Sequence, residues 1–377
     1  MNAPFRQPML PQRARRRSEI VPLRDYLADP DASWDAVAAR ASESNAFAER
    51  WFMTASARHL DIPADARMLV VRAEDQLIGM MPIFVAPKYG RMPVRHVENW
   101  LHYNCFFGAP LVRRSFESYF WYRALDLLDA DPNAPAFLHL VALDGDGPLA
   151  DALLKARKGS AIVYRSTRAM LQSDLSPNDY YEATVRKKKR KEIGRLQHRL
   201  AEMGAVNFSR LSDAADLEAW IDAFLALEAS GWKGRDGAAL ANERATEGFV
   251  RDAMRGAFAA GHLEIVRLDL DGRVIAMLVN FLTPPGSFSF KIAFDEEFAR
   301  FSPGVLIQLE NLKILEVPGV RWMDSCAVED HPMINSLWAE RRDIVRITVP
   351  LKGKRRRATF AVCRALETAS ALVRKSR

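Results

Sequence analysis

Residues 263–282 read LEIVRLDLDGRVIAMLVNFL, in which two apolar runs flank the dipeptide Asp271-Gly272. Because glycine readily takes a positive φ, a DG pair between apolar runs predicts a β-hairpin. A second apolar pair, 68–73 and 77–85, is joined by Glu74-Asp75-Gln76 and predicts another hairpin. Both hairpins carry a Val-Arg pair in their first run and an apolar tetrapeptide ending in Met at the start of the second. We interpret them as an internal duplication of one α/β module.

Helical and extended patterns alternate around these hairpins. Helices are predicted near 33–41, 46–58, 116–129, 148–157, 214–230, 303–316 and 331–339, and strands over 136–142, 161–166, 287–294, 320–326 and 343–350. This order predicts an α/β (mixed α+β) fold with tandem modules, each a mixed twisted sheet flanked by helices. The predicted division is a disordered basic tail (1–18), a first module (19–170), a second module (171–350) and a basic C-terminal tail or helix (351–377).

The balance of charge favours an anionic partner. The 377 residues include 54 Lys and Arg against 47 Asp and Glu, a net charge of +7. No apolar run approaches the ~20 residues that cross a bilayer, and no apolar segment follows the N-terminal arginines as in a secretory signal. Cys105, Cys326 and Cys363 lie far apart, which predicts reduced thiols and neither a metal site nor a disulfide framework. We expect a cytoplasmic protein, with contact at the inner-membrane surface.

The stretch 294–306, FDEEFARFSPGVL, follows a predicted strand and leads into a predicted helix. Ser302 is a favoured N-cap residue, and Pro303 suits the first helical position. The next N–H groups are expected to be free, and free N–H groups at a helix N-terminus bind phosphate. The sequence therefore predicts a pyrophosphate site at Phe301, Ser302, Pro303, Gly304 and Val305. A plain helix cap would produce the same pattern.

These segments resemble the GNAT acyltransferase superfamily. The hairpin DGRVIA (271–276) is similar to the superfamily's β-hairpin, and D-x-x-F-x-x-x-S-P-G-x-L (295–306) resembles the acyl-CoA loop of its cellulose-biosynthesis-type, FemAB-like branch. Further matches are LEASGWKG (227–234) and the stretch Asp324…His331-Pro332…Trp338.

The resemblance implies a co-substrate and an acceptor. Acyl-CoA or acetyl-CoA would donate the acyl group, and no cofactor would be bound permanently. The acceptor would be an amine, with substrate contacts from Trp232, Lys233 and Asp295. The family's tandem arrangement agrees with the duplicated hairpin.

Glu228 falls in phase with the apolar stripe of the predicted helix 214–230, formed by Leu217, Trp220, Ile221, Phe224 and Leu225. A carboxylate on a buried face costs free energy unless it is partnered. We therefore predict that Glu228 binds the acceptor amine or acts as its base. The alternatives are that it turns to solvent or pairs with a nearby arginine.

Asp324 and His331 bracket the end of the predicted strand 320–326, where open α/β sheets bind ligands. A thioester needs a neutral amine, and an alkyl amine with a pKa near ~10 is mostly protonated at neutral pH. We predict His331 as the base and Asp324 as the group that orients the amine. A His before a Pro also fits a structural turn. Cys326 as an acyl carrier is disfavoured, because no His has the spacing of a partner.

Basic clusters lie at 13–17, 186–191 and 352–357. Charge runs are usually solvated faces, and no nucleic-acid motif accompanies them, so nucleic acid is disfavoured and an anionic membrane surface preferred. The resemblance implies an acyl-CoA-dependent N-acyltransferase that acts on an envelope precursor. We favour a long-chain (sphingoid) base, as in bacterial ceramide synthesis, as the acceptor. The alternatives are an N-acetyltransferase of amino sugars for cell-surface polysaccharide and a non-catalytic GNAT-like scaffold that binds a membrane or a partner.

Overall fold

The computed structural model describes residues 17–375, apart from the side chains of residues 232, 233 and 369–375. The predicted disordered tail, 1–18, lies outside the described residues except for its last two. Within the described range, no helix is both long and apolar enough to span a membrane.

Strands and helices alternate through the first half of the chain. Its strands are β1 (Glu19–Pro22), β2 (Arg67–Ala73), β3 (Gln76–Ala86), β4 (His96–Asn99), β5 (Leu111–Val112), β6 (Phe137–Asp144) and β7 (Ala161–Leu171). Its helices are α1 (Leu23–Ala28), α2 (Trp34–Ala38), α3 (Arg50–His59), α4 (Glu117–Ala130) and α5 (Pro148–Ala156).

The second half repeats this alternation. Its strands are β8 (Val206–Arg210), β9 (Leu263–Leu270), β10 (Arg273–Thr283), β11 (Gly286–Phe294), β12 (Trp322–Asp324) and β13 (Glu340–Pro350). Its helices are α6 (Pro177–Thr184), α7 (Lys187–Ala201), α8 (Leu217–Ser230), α9 (Trp232–Arg235), α10 (Arg244–Ala259), α11 (Pro303–Glu310), α12 (Pro332–Asn335) and α13 (Lys354–Lys375).

All these strands belong to one mixed sheet. Its order is β1-β2-β3-β4-β6-β13-β7-β12-β11-β10-β9-β8, and β5 pairs with β3 off this path. The strands follow the same pattern inward from each edge of the sheet. An outer strand (β1 or β8) is followed by a hairpin (β2–β3 or β9–β10), a fourth strand (β4 or β11) and a fifth strand parallel to the fourth (β6 or β12). The duplication predicted from the hairpins is therefore confirmed in the sheet.

The two halves exchange strands at the centre of the sheet. β13, from the end of the chain, lies between β6 and β7, whereas β7 lies between β13 and β12. Each half thus supplies the strand beside the fifth strand of the other half. The proposed module boundary at residue 170 falls at the end of β7, so the proposed modules would be joined by strand pairing as well as by the chain.

The hairpin turn predicted at Asp271-Gly272 is confirmed, with φ of 49° and 80° at these residues. Both values are left-handed, as the tightest hairpin turns require. The hairpin places β10 beside β11, and β11 carries one wall of the candidate site.

A hydrophobic core joins the two halves on one face of the sheet. Phe47 packs edge-on against Phe288 at 5.1 Å between ring centroids, and Phe52 packs against Phe249 at 5.3 Å. All four side chains are buried. Aromatic pairs in this geometry add about 0.5–1.5 kcal/mol each to the free energy of area burial.

Three predicted elements around the candidate site are shorter than expected. The predicted helix 303–316 is α11 followed by a 3₁₀ turn over Asn311–Glu316, and the predicted strand 320–326 is reduced to β12. The predicted helix 331–339 is only α12, and the buried residues Leu337 and Trp338 lie in the turn between α12 and β13. These elements surround the candidate site, where tertiary contacts override local propensity.

Candidate functional site

The parallel strands β11 and β12 separate after three paired residues. The pairs are Gly286 with Trp322, Ser287 with Met323 and Phe288 with Asp324, after which β12 ends. β11 continues to Phe294 with no strand partner on that side among the described residues. The result is an opening in the sheet, with one free strand edge that can pair with the backbone-like amides of an extended ligand.

A β-bulge in β11 contributes to this separation. Val279 and Asn280 of β10 face Lys291 and Ser289, so Phe290 has no partner on β10. A bulge bends its strand and re-aims the neighbouring side chains. It lies just beyond the last residue of β11 that pairs with β12.

The predicted phosphate loop lies at the end of β11 and the start of α11. Ser302 is the N-cap residue, in the left-handed conformation (φ 53°, ψ 54°), and Pro303 occupies the first helical position. The expectation of free N–H groups is wrong for Val305 and Leu306, which donate to Ser302 O at 2.9 and 3.2 Å. The Leu306 bond is the ordinary first hydrogen bond of a helix, accepted by the carbonyl of the N-cap residue, and Val305 shares that carbonyl. Gly304 N donates to no acceptor within the described residues.

Gly304 has room for a Cβ beside this helix start, in contact with its neighbours. A Cβ built there would lie 3.5–3.7 Å from Met333 Sδ, Phe294 Cδ1 and Ile292 Cδ1, an ordinary contact distance. Phe301 is a buried core side chain, so it could present only its backbone to a ligand. The binding role of Phe301, Ser302, Pro303, Gly304 and Val305 stays a prediction.

Asp324 closes the bottom of the opening. Its carboxylate is fully buried; Oδ1 accepts from Cys326 N (2.8 Å) and Arg168 Nη1 (3.2 Å), and Oδ2 accepts from Arg342 Nη1 (3.1 Å). Arg342 also donates from Nε to Asp144 Oδ2 at 2.9 Å. The carboxylate therefore joins β12 to β7 and β13 by charge-assisted bonds. A role in orienting the amine would come in addition to this structural one.

Glu228 and His331 do not form one cluster with Asp324. The predicted burial of Glu228 is confirmed; its Oε2 accepts from Leu240 N at 2.9 Å. His331 is half-buried at the N-cap of α12, where Nδ1 accepts from Ile334 N at 3.4 Å. Within the described residues, no hydrogen bond links any two of these three predicted catalytic residues. Their catalytic roles stay predictions.

Of the three predicted substrate contacts, Asp295 makes local contacts, and the side chains of the other two are not described. Asp295 caps the 3₁₀ turn Glu296–Phe301, where its Oδ1 accepts from Glu297 N and its Oδ2 pairs with Arg273 at 2.5 Å. Trp232 and Lys233 belong to α9, and their side chains are not among the described ones.

Lys291 is a site residue that the sequence reading missed. Its ammonium lies 5.8, 5.2 and 5.6 Å from the ring centroids of Tyr103, Phe106 and Phe290. Tyr103 and Phe106 come from the first half of the chain, and Arg168 fixes this loop by donating to Phe106 O at 2.9 Å. The available signal was a single cation in the strand GSFSFKIAF (286–294), which is otherwise apolar or small.

Burial near Lys291 disfavours the charged forms of His102 and Cys326. Burial, with a contribution from Lys291, lowers the pKa of His102 to about 4. His102 is therefore neutral at pH 7, with Nε2 2.9 Å from Ser56 Oγ. Burial, with Asp324 nearby, raises the pKa of the Cys326 thiol well above its usual range. A protonated thiol is a poor nucleophile, in agreement with the prediction against an acyl-cysteine.

Comparison with known proteins identifies the class. Residues 187–331 match the family model of the acetyltransferase (GNAT) domain. The structure is similar to a crystal structure of FemX, with 13% identity, 85% of this chain and 95% of that chain covered, and a TM-score of 0.55. L-PGS from Bacillus licheniformis is similar at 11% identity, over 89% of this chain and 96% of that chain, with a TM-score of 0.54. No curated protein matches this chain by sequence.

The matched segment contains the splayed strands, the bulge and the start of α11, so the described opening lies within an acyltransferase domain. Residues 187–331 therefore form a GNAT acetyltransferase domain, and the overall fold of the chain is similar to that of FemX. The fold class predicted from the sequence, a mixed α/β fold with GNAT-like modules, is thereby confirmed.

Proposed function

We propose that this protein transfers an acyl group from acyl-CoA to the primary amine of an envelope precursor. The observation that carries the proposal is the opening between β11 and β12, with a free strand edge on one side and the start of α11 at its end. The pantetheine arm of CoA contains two amides, which can pair with the free edge of β11. Its diphosphate would then lie at the N-terminus of α11, close to Gly304.

The reaction requires one covalent exchange. The amine nitrogen attacks the thioester carbonyl carbon and the C–S bond breaks. The base takes the proton that the nitrogen loses and returns it to the sulfur, so CoA departs as its thiol. The carbonyl oxygen gains negative charge in this step, and backbone N–H groups at the bulge can stabilise it. The Lys291 ammonium adds positive charge at the same edge.

His331 is the best-placed candidate for the base. Its Nδ1 is occupied by Ile334 N, whereas its Nε2 has no partner within the described residues. Asp324 has three hydrogen-bond donors on its carboxylate, and Glu228 is held by Leu240 N. We therefore propose that Asp324 and Glu228 act mainly by positioning the walls of the site.

We propose a long-chain amine, of the sphingoid type, as the acceptor. This choice is supported by the basic turn 186–191 and the basic residues 352–357 on the protein surface, which could rest on an anionic leaflet at the inner membrane. An amine that resides in the leaflet would then be presented to the opening. An amino sugar is the competing acceptor.

The variant Gly304→Glu tests the CoA site. A glutamate there would add bulk and negative charge at the start of α11 and repel the diphosphate, so we expect acyl-CoA affinity to fall at least ~10-fold. Gly194→Glu is the matched control, because Gly194 lies on the exposed face of α7 with open space around it. Calorimetric titration with acetyl-CoA measures both. Normal affinity in Gly304→Glu would overturn the assignment of this loop.

The acceptor is tested by incubating the protein with labelled acyl-CoA and either a sphingoid base or a free amino sugar. We expect an amide of the long-chain base. Robust acylation of the amino sugar alone would contradict the proposed acceptor and leave the transferase assignment intact. Binding of acyl-CoA without transfer to either amine would favour a scaffold.

A further inference from the structure

The first turn of α7 is rich in basic residues, although the N-terminus of a helix favours negative charge. Residues 186–191 read RKKKRK, and α7 begins at Lys187. The N-terminus of a helix has a positive partial charge, so cations there are repelled. No acidic residue lies in this turn, and the N-cap residue Arg186 makes no capping hydrogen bond with its side chain. A bound anion would relieve the repulsion and accept from the free N–H groups.

A cavity of about 550 Å³ lies beside this turn. Its lining includes four basic residues, Arg186, Lys188, Lys189 and Arg341. The acidic lining residue is Glu192, which pairs with Lys189 at 3.3 Å. Arg186 and Lys188 form no ion pair with any described residue. The cavity therefore has an excess of positive charge and two cations available to a ligand.

Trp338 provides a second, independent indication of a ligand. It lines the same cavity, its side chain is 1% exposed, and its indole N–H has no acceptor among the described residues. A buried donor without an acceptor destabilises the protein. The unpaired N–H of a residue that borders the cavity therefore indicates a ligand that supplies an oxygen.

The cavity adjoins the proposed CoA loop. Pro332, at the start of α12, lines the cavity, and the next residue, Met333, has its Sδ 3.5 Å from the position of a Cβ on Gly304. The four-residue helix α12 therefore lies between the cavity and the start of α11. Two anion sites so arranged match a ligand with two separate phosphate groups.

We propose that this cavity binds the 3′-phosphate of the CoA nucleotide, a phosphomonoester, through Arg186, Lys188 and the indole N–H of Trp338. The inference rests on the proposed function, because it deepens the description of the same co-substrate. The phosphate of a lipid headgroup has the same chemistry, and the experiment separates the two sources.

The test compares acetyl-CoA with 3′-dephospho-acetyl-CoA by calorimetric titration of the full chain. Wild-type protein should bind acetyl-CoA roughly tenfold or more tightly than the dephospho form. In Arg186→Ala/Lys188→Ala this preference should fall to about twofold or less, with little change for the dephospho form. The matched control, Lys187→Ala/Lys191→Ala, removes the same charge from exposed residues that do not line the cavity, and it should keep the wild-type preference.

A second variant, Trp338→Phe, keeps the ring and removes only the N–H, and it should reduce the preference in part. Equal binding of the two ligands by wild-type protein would overturn the site while leaving the proposed function intact. Failure to bind either ligand would overturn both the site and the proposed function.

Binding to anionic phosphatidylglycerol vesicles tests the lipid headgroup as the source of the phosphate. Loss of vesicle binding in both double variants, with the preference for acetyl-CoA unchanged in each, would assign the turn to a lipid surface and overturn the inference.

Discussion

His331 and Asp324 differ in burial and in hydrogen bonding, although the sequence places both near the end of the same predicted strand. Asp324 is fully buried between two guanidinium groups, whereas His331 is half-buried and keeps one ring nitrogen without a partner within the described residues. A proton acceptor needs a nitrogen that the substrate can reach. The contacts therefore favour His331 as the residue to test first.

Substitution of His331 can separate catalysis from helix capping. His331→Asn retains a favoured N-cap residue for α12 but removes the titratable nitrogen, whereas His331→Ala removes both. If His331 is the base, both variants should lose ~10²–10⁴ of turnover, with acetyl-CoA affinity kept. His331→Ala alone should also lose about 0.5–2 kcal/mol of unfolding free energy. Steady-state kinetics and urea unfolding measure these effects. Wild-type turnover in His331→Asn would show that His331 only caps α12 and is not the base.

β12 has three residues, and a strand this short is held by its neighbours. Asp324 is its last residue and binds Arg168 of β7 and Arg342 of β13. The separation of β11 from β12 starts at this residue. The ion cluster therefore holds one wall of the opening in place, and the bulge at Phe290 shapes the other wall.

Asp324→Asn should destabilise the protein before it affects the chemistry. The change leaves two guanidinium groups buried beside a neutral amide, and breaking a buried pair costs about 3–5 kcal/mol. Chemical denaturation measures the loss. The control is Asp151→Asn, which breaks an exposed pair with Lys155 and should change the unfolding free energy by less than ~1 kcal/mol. Wild-type stability with lowered turnover in Asp324→Asn would instead support a direct role on the amine.

The two halves of the chain share one sheet and one core. β7 and β13 each lie beside strands of the other half, and Phe47 and Phe52 pack against rings of the second half. The loop with Tyr103 and Phe106, from the first half, also borders the opening formed by the second. The proposed site accordingly needs both halves, although the matched family segment covers only 187–331.

Strand exchange predicts that the halves unfold together. We expect one cooperative transition, with tryptophan fluorescence and far-UV circular dichroism giving the same urea midpoint, because unfolding one half removes a strand from the other. Acetyl-CoA should raise that midpoint without splitting the transition. Two separated transitions, with only the later one sensitive to acetyl-CoA, would show that the halves are energetically independent.

Local sequence determined the hairpins, the start of α11 and the resemblance to GNAT proteins. Asp271-Gly272 specifies its turn because few residues take positive φ, and Ser302-Pro303 marks a helix start by capping and a fixed φ. Periodicity likewise predicted the burial of Glu228, because helical spacing follows from the residues of one helix. These features depend on interactions among neighbours in the chain.

Only the tertiary structure decided which distant segments meet. The pairing of Asp324 with Arg168 and Arg342 joins residues that are 156 and 18 positions apart. Two of the three rings around Lys291, those of Tyr103 and Phe106, come from a loop in the other half of the chain. Local propensity carries no information on such contacts, because they depend on the register and exchange of strands across the whole sheet.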